Sequence, residues 1–255
     1  MAEEDRPMQV AVTGGSRGIG REIVRALAED GFDVAFTYRQ SAEQSQALLA
    51  ELRANWPDQE FGAYRVDLGK RCEVDGFTEQ LSDSDTLYGL VHNAGQSYDA
   101  LVAMIDQRQS ENIMQVNFWS LTRLVTGAVR PMIRARAGRI IGIGSMAALY
   151  GMPGNAVYAA SKGAMLSYLR TVAVELARKG ITANVVSPGY VDTDMVASYA
   201  DHRDRIEKWI PAGRFARPCE VAALVRHLMS PAAEYINGSV LPIDGGMNAG
   251  VTLRD

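Results

Sequence analysis

The chain has 255 residues, of which 47% are hydrophobic and 22% charged, and its formal net charge at pH 7 is −4. These values predict one globular domain with a sizeable core, and they offer no basic field for nucleic acid or an anionic membrane surface. The two cysteines, Cys72 and Cys219, are far apart and belong to no metal-ligand spacing, so we expect neither a disulfide framework nor a zinc site.

The first seven residues are charged and no apolar signal region follows them, so residues 1–7 are interpreted as a flexible tail. No apolar run approaches the length of about 18 residues that a membrane span needs. We therefore expect a cytoplasmic protein.

A glycine-rich turn follows the first predicted strand, residues 8–12. It reads Thr13-Gly14-Gly15-Ser16-Arg17-Gly18-Ile19-Gly20, and apolar residues at helical spacing come directly after it. Without bulky side chains, the backbone N–H groups between Gly14 and Gly20 can approach a pyrophosphate at a helix N-terminus. No Gly-Lys-Ser/Thr follows, so the turn is not a P-loop. It predicts a dinucleotide site, and a tight turn without a ligand is the alternative.

The second predicted strand, Asp33–Tyr38, ends in Arg39. An NAD site would usually place a carboxylate near this position, to hold the ribose 2′-hydroxyl. A guanidinium there, together with Arg17 in the glycine turn, suits a 2′-phosphate instead. The sequence therefore favours NADP(H), the alternative being that Arg39 merely solvates a loop.

The third and fourth predicted strands, residues 61–66 and Leu87–His92, follow helices at 41–56 and 70–81. Asp67 and Leu68 come after the third strand, where Asp67 suits either an adenine amino group or the cap of the next helix. Asn93-Ala94-Gly95 comes after the fourth strand. Because parallel strands bind ligands at their carboxyl ends, these residues should share an edge with the glycine turn.

Two polar residues stand out in the next helix and strand. Asn117 falls within the apolar section of a helix predicted over 109–136, so it either bonds to water or backbone or faces solvent. Ser145 ends a strand predicted over 138–145. It is not a nucleophile elbow, because Gly-x-Ser-x-Gly is absent.

Tyr158 and Lys162 are four residues apart in a helix predicted over 157–179. This spacing stacks them on one helical face. A nearby ammonium favours the phenolate, so we expect Lys162 to lower the pKa of Tyr158 and prepare it for proton transfer. The alternative is a solvated pair on a surface helix.

The last predicted elements are a strand at 181–186, a helix at 218–230 and a strand at 239–243. The loosely patterned segment 190–215 is interpreted as a lid over a substrate, with Tyr190, Met195 and Val196 as its contacts. Alternating strands and helices predict an α/β fold: one Rossmann-type, doubly wound parallel sheet flanked by helices in a single domain.

Six motifs occur in the order seen in short-chain dehydrogenases/reductases, from about residue 8 to 247. They are Thr13-Gly14-x-x-x-Gly18-x-Gly20, Asn93-Ala94-Gly95, Asn117, Ser145, Tyr158-x-x-x-Lys162 and Pro188-Gly189. The chain resembles this family and, in Gly180 to Gly189, Ile210 to Phe215 and Asn237 to Met247, more closely the 3-oxoacyl-[acyl-carrier-protein] reductases. His92 stands where the family often has Asn, and is interpreted as a strand-end residue rather than a proton donor.

The resemblance implies catalytic roles. Tyr158 would protonate a carbonyl oxygen as NADPH delivers hydride to its carbon, and Ser145 would hydrogen-bond that oxygen. Lys162 would also bind the nicotinamide ribose, and Asn117 would hold a water that links Lys162 to solvent. The implied cofactor contacts continue with Asn93, Ala94 and Gly95 and with Pro188, Gly189, Val191 and Thr193.

The resemblance also implies partners. Arg136 and Lys179 would stand beside the mouth of the active site and meet an acyl carrier protein, unless they only complement helix dipoles. The family is usually tetrameric. The function implied is NADPH-dependent reduction of a β-ketoacyl thioester in fatty-acid or polyketide-type biosynthesis. The alternatives are another short-chain enzyme acting on a sugar, steroid, acetoacetyl-CoA or other small ketone, and a noncatalytic NADP-binding partner of a reductase.

Overall fold

A seven-stranded, all-parallel sheet forms the centre of the structure, a computed structural model that describes residues 8–194 and 202–249. In the described residues its strands run in the order β3-β2-β1-β4-β5-β6-β7. The strand bounds are β1 Gln9–Thr13, β2 Asp33–Tyr38, β3 Phe61–Arg65, β4 Leu87–His92, β5 Gly138–Ile143, β6 Ile181–Pro188 and β7 Val240–Ile243. The predicted doubly wound α/β fold is confirmed.

Helices cover both faces of this sheet. Their bounds are α1 Gly18–Glu29, α2 Ala42–Asn55, α3 Arg71–Asp83, α4 Gln107–Met114, α5 Ser120–Ala135, α6 Ala156–Leu176, α7 Arg203–Trp209 and α8 Pro218–Met229. The alternation of side chains along β1 divides the core into two layers. Val10 and Val12 pack with residues of α1, α2 and α8, whereas Ala11 packs with residues of α3, α5 and α6.

The helix predicted over 109–136 contains one turn of a different kind. A π-helical turn, Gln115–Trp119, separates α4 from α5, and the Ser120 N–H donates to the carbonyl of Gln115, five residues back. Such turns are frequent at functional sites. The prediction that residues 109–136 are largely helical is confirmed, and the π-helical turn at Asn117 was not foreseen.

β1 lies between β2 and β4. The chain therefore extends the sheet first on one side of β1 and then on the other. At such a point the connections leave in opposite directions and open a crevice at the carboxyl ends of the strands. The glycine turn, Asn93 and Ser145 all follow strands at this edge. Met195 and Val196 lie outside the described residues.

Within the part of the chain that the structure describes, no helix is both long and apolar enough to cross a membrane. The same residues contain no cluster of three or more His, Cys, Asp or Glu side chains arranged to hold a metal ion.

Candidate active site

A cleft of about 350 Å³ lies along the carboxyl edge of the sheet. It runs from the glycine turn and the end of β2 to Ser145 and Tyr158. Most predicted site residues line it: Gly14, Ser16, Arg17, Gly18, Ile19, Arg39, Asp67, Leu68, Asn93, Ala94, Gly95, Ser145, Tyr158, Lys162, Pro188, Gly189, Val191 and Thr193.

Among the described residues, three predicted site residues do not line this cleft. Gly20 and Asn117 support its walls from behind, and Tyr190 lines a separate cavity of about 120 Å³. Sequence reasoning missed ten lining residues: Thr37, Tyr38, Gln40, Ser41, Val66, Gln96, Val116, Ile143, Gly144 and Asp194. Most of them come at or just after the end of a strand, so the rule that ligands bind at carboxyl ends would have found them.

The glycines of the turn have two different tasks. Gly14 and Gly18 adopt φ values of 66° and 54°, in the left-handed region that side chains disfavour. At Gly20 a Cβ atom would come within 2.1 Å of the Gly14 carbonyl oxygen. Gly20 therefore permits the first turn of α1 to pack against the preceding loop, whereas the other two shape the loop itself.

Asn93 fixes the glycine turn from the neighbouring strand. Its Nδ2 donates to the carbonyl oxygens of Thr13 and Gly14, at 3.1 and 3.0 Å. The Thr13 hydroxyl oxygen accepts in return from the backbone N–H groups of Asn93 and Ala94, at 3.1 and 3.0 Å. Asn93 therefore has a structural role in holding the glycine turn, in addition to the expected contact with a ribose.

The residues at the end of β2 fit a dinucleotide with a 2′-phosphate. Arg39, Gln40 and Ser41 line the cleft there, and none of these three side chains is a carboxylate. Arg17 lies on the other side and pairs with Asp194 at 3.5 Å, both side chains being well exposed. Arg39, together with Arg17 once its pair with Asp194 opens, would hold a 2′-phosphate through charge-assisted hydrogen bonds.

Asp67 forms a local turn rather than a helix cap. Its Oδ1 accepts from the Gly69 N–H at 3.0 Å, while α3 begins at Arg71, after an N-cap at Lys70 that makes no side-chain cap bond. The capping alternative was therefore wrong. Asp67 remains on the wall of the cleft, where an adenine contact is still a prediction.

Ser145, Tyr158 and Lys162 converge at the other end of the cleft. Ser145 follows β5, and its Oγ accepts from the Ala147 N–H at 3.1 Å. Ser145 and Tyr158 both line this end of the cleft. The Lys162 Nζ donates to the Ile143 carbonyl at 2.8 Å and lies 5.8 Å from the centre of the Tyr158 ring. The fold thus brings these three side chains together at one end of the cleft, where they were expected.

The acid–base properties of the pair differ from the expectation. Burial raises the pKa of Tyr158, the interaction with Ser145 only partly opposes that shift, and the Asp99 charge adds to it. Burial lowers the pKa of Lys162 to about 8. The expectation that Lys162 lowers the pKa of Tyr158 was therefore wrong for the free protein, because burial dominates and the ammonium is bonded to a carbonyl instead.

Asn117 is fully buried in the π-helical turn, so the alternative that it faces solvent was wrong. Its Oδ1 accepts from the Gln96 N–H at 2.9 Å, and its Nδ2 donates to the Gln96 carbonyl and to the Ser161 Oγ, both at 2.9 Å. The Ser161 hydroxyl donates in turn to the Tyr158 carbonyl at 2.7 Å. The amide thus ties the loop after β4 to the helix that carries the tyrosine.

Arg136 and Lys179 lie at the opposite edge of the sheet. They immediately precede β5 and β6, whereas the cleft is at the carboxyl ends of those strands. The expectation that they stand beside the mouth of their own cleft was therefore wrong. Arg136 donates from Nη2 to the Arg178 carbonyl at 3.4 Å, next to the ends of α5 and α6.

A doubly wound sheet whose dinucleotide cleft ends at a Ser-Tyr-Lys group defines an oxidoreductase of the Rossmann type. Comparisons with known proteins narrow this class. The family described as Enoyl-(Acyl carrier protein) reductase matches residues 14–248. The 3-oxoacyl-[acyl-carrier-protein] reductase MabA of Mycobacterium tuberculosis is 38% identical over 249 residues, which cover 94% of this chain and 93% of MabA. The chain belongs to the short-chain dehydrogenase/reductase family.

Two solved structures show the same architecture. A putative NAD(P)-dependent gluconate 5-dehydrogenase from Beutenbergia cavernae with bound NADP superposes with a TM-score of 0.90, at 31% identity, over 95% of this chain and 97% of that one. A variant of actinorhodin polyketide ketoreductase with NADPH gives 0.89, at 29% identity, over 98% and 100% of the two chains.

Proposed function

We propose that the protein is an NADPH-dependent ketoreductase that converts a β-ketoacyl thioester to its 3-hydroxyacyl form. The observation that carries this proposal is the convergence of Ser145 and Tyr158 at one end of a cleft whose other end has Arg39. Two hydroxyl groups side by side suit one carbonyl oxygen. Relatives named as 3-oxoacyl-[acyl-carrier-protein] reductases and a polyketide ketoreductase support the substrate class.

In the proposed reaction, bound NADPH supplies the hydride that reduces the carbonyl carbon. Ser145 donates a hydrogen bond to the substrate oxygen and opposes the charge that develops on it. Tyr158 transfers its phenolic proton to that oxygen and completes the alcohol. Because its pKa is raised in the free protein, Tyr158 begins as the proton-bearing form that this step needs.

Lys162 and Asn117 support this proton transfer. The buried Lys162 ammonium lies under the tyrosine and already donates to the Ile143 carbonyl. It would also bind the ribose hydroxyls of the nucleotide, which would then hold the ammonium from a second side. Asn117 holds the loop at Gln96 and the first turns of α6 at fixed positions through its three hydrogen bonds. Both N–H groups of its side chain are engaged, so a water that links Lys162 to solvent would bind to its Oδ1 or to its backbone carbonyl.

The carrier protein and the assembly belong to the same proposal. Since Arg136 and Lys179 are at the far edge of their own sheet, they can meet a carrier at an active site only if a second copy brings them there. Trp119 and Val174, next to α5 and on α6, expose 48% and 81% of their surface. An apolar helical face of this kind supports pairing of the long helices in a homotetramer.

Turnover of a substrate panel tests the proposed function. The panel holds acetoacetyl thioesters on carrier protein, coenzyme A and N-acetylcysteamine, a crotonyl thioester, 5-ketogluconate and a steroid ketone, each with NADPH and NADH. We expect the acetoacetyl thioesters with NADPH to give the highest kcat/KM. Preference for a sugar or steroid would identify another short-chain enzyme, and NADPH binding without any turnover would identify a noncatalytic protein. Absence of turnover with every β-ketoacyl thioester removes the proposal.

A further inference from the structure

His92 is a buried titratable residue that the proposed mechanism does not use. It is the last residue of β4, directly before Asn93, and none of its surface is exposed. Thr13 approaches it from β1, Lys162 from α6 and Asn117 from the π-helical turn. His92 therefore lies behind the catalytic group rather than in the cleft.

The hydrogen bonds of Thr13 determine which ring nitrogen of His92 carries the proton. A hydroxyl group has one hydrogen to donate and two lone pairs to accept with. Both lone pairs of Thr13 Oγ1 are taken by the N–H groups of Asn93 and Ala94. Its hydrogen therefore points to His92 Nδ1, which lies 3.3 Å away. Nδ1 must be an acceptor, so the neutral ring carries its hydrogen on Nε2.

The Nε2–H group is a buried donor without a partner in ordinary hydrogen-bond geometry among the described residues. Burial and the Lys162 charge lower the pKa of His92 to about 3, while interaction with the Asn117 backbone opposes that shift. The ring is thus neutral at physiological pH, and its one free donor is next to the turn that holds Asn117. A buried donor of this kind takes the nearest carbonyl or a water that bridges to it.

We propose that His92 is a positioning residue, whose Nε2–H bonds to the Asn117 backbone through one water and fixes the π-helical turn relative to Lys162. The proposal rests on the proposed function, because proton delivery through Lys162 to Tyr158 is the step that this bond would serve. The two ring nitrogens of His92 then have different roles: Nδ1 accepts from Thr13, and Nε2 supports the proton path.

Two amide substitutions separate these roles. In His92→Asn the side-chain oxygen reaches the place of Nδ1, so the Thr13 bond is kept and the distal donor is lost. In His92→Gln the longer amide can place an N–H near the position of Nε2. Both variants are neutral and similar in polarity, so each is the matched control for the other.

We expect His92→Asn to lower kcat roughly tenfold, as a small misplacement of a proton path does, and to change the pH profile of kcat. Its affinity for NADPH should stay within about twofold, since the cofactor cleft is not touched. His92→Gln should recover most of the kcat and the wild-type profile. Wild-type kcat and pH profile in His92→Asn, or equal losses in both variants, overturn the proposal.

NMR of the substrate-free protein tests the same inference without any turnover. With ¹⁵N-labelled histidine, the His92 ring should show a protonated Nε2 and a bare Nδ1 from pH 8 to pH 5, with the exposed His202 and His227 as internal references. Amide exchange of residues 115–119 should accelerate in His92→Asn and not in His92→Gln. The opposite tautomer, a charged ring, or unchanged exchange overturns the positioning role, whereas a failed substrate panel with these signals intact overturns only the proposed function.

Discussion

The Lys162 ammonium lies 5.8 Å from the centre of the Tyr158 ring, one helical turn along α6, and is bonded to the Ile143 carbonyl rather than to the phenol. Burial keeps the phenol protonated, and it makes the Lys162 ammonium easier to deprotonate by lowering its pKa to about 8. In the free protein Tyr158 therefore carries the proton that it would donate.

Removal of the Tyr158 hydroxyl should abolish most of the activity. We expect Tyr158→Phe to lower kcat by roughly 10²–10⁴, the usual contribution of a positioned acid. Its affinity for NADPH, measured by fluorescence titration, should change little. Tyr235→Phe, at a fully exposed tyrosine, is the control. Retained turnover in Tyr158→Phe would show that another group donates the proton.

The cofactor preference should depend on Arg39. Arg39→Asp places a carboxylate where a 2′-phosphate would bind, so we expect the Kd for NADPH to rise by at least about tenfold, the effect of one or more charge-assisted bonds. The Kd for NADH should not rise, because NADH has no phosphate there and a carboxylate can bond to its ribose 2′-hydroxyl. Isothermal titration with both nucleotides measures the difference. Equal changes for the two would contradict the assignment.

Gly20 and Gly163 are both helical glycines, but their surroundings differ. A Cβ at Gly20 would meet the Gly14 carbonyl at 2.1 Å, whereas at Gly163 nothing lies within 4 Å. Gly20→Ala should lower both the free energy of unfolding and the affinity for dinucleotide, since α1 must shift away from the turn. Gly163→Ala should stabilise the protein by about 0.5–1 kcal/mol, the difference in helix propensity. Urea denaturation of both variants distinguishes these effects.

The amide of Asn117 should matter to stability as well as to activity. Asn117→Ala leaves the Gln96 N–H and carbonyl and the Ser161 hydroxyl without this partner, so we expect a loss of about 2–4 kcal/mol in the free energy of unfolding. Asn112→Ala removes an exposed amide bonded to the Gln96 side chain, and should cost less than about 0.5 kcal/mol. Similar losses in the two variants would contradict the anchoring role of Asn117.

His92 should make the protein less stable as the pH falls. Its pKa is about 3 in the folded protein and 6.5 ordinarily, so between these values the unfolded chain binds a proton that the folded chain does not. The contribution of His92 is complete above pH 6.5 and is lost as the pH falls towards 3, with a slope of at most about 1.4 kcal/mol per pH unit. Urea unfolding from pH 7 to pH 4 should show a smaller slope for His92→Gln than for the wild type.

Local patterns were enough to predict the sheet and most of the cleft. β2 and β4 have the predicted bounds, because apolar runs and strand-end punctuation are encoded within a few residues. Partners distant in sequence were not accessible in this way. Asn93 bonds to the turn 79 positions earlier, and Asn117 to Ser161, 44 positions later.

Two further misjudgements have the same origin. The pKa of Tyr158 depends on how deeply α6 packs against the end of β5, which no spacing rule contains. The distance of Arg136 and Lys179 from the cleft follows from strand direction: both precede the strands whose far ends carry the site. Sequence proximity to a catalytic segment is therefore a poor guide to which edge of a parallel sheet a residue occupies.

The order of strands in the sheet also bears on how the protein emerges from the ribosome. β1 pairs with β2 on one side and with β4 on the other, so one edge of the first strand has no partner until residue 92 has been made. Its Val10, Ala11 and Val12 side chains are fully buried in the finished fold. An apolar strand with an open edge invites pairing with other nascent chains. That edge of β1 is therefore open to such pairing until β4 has been made.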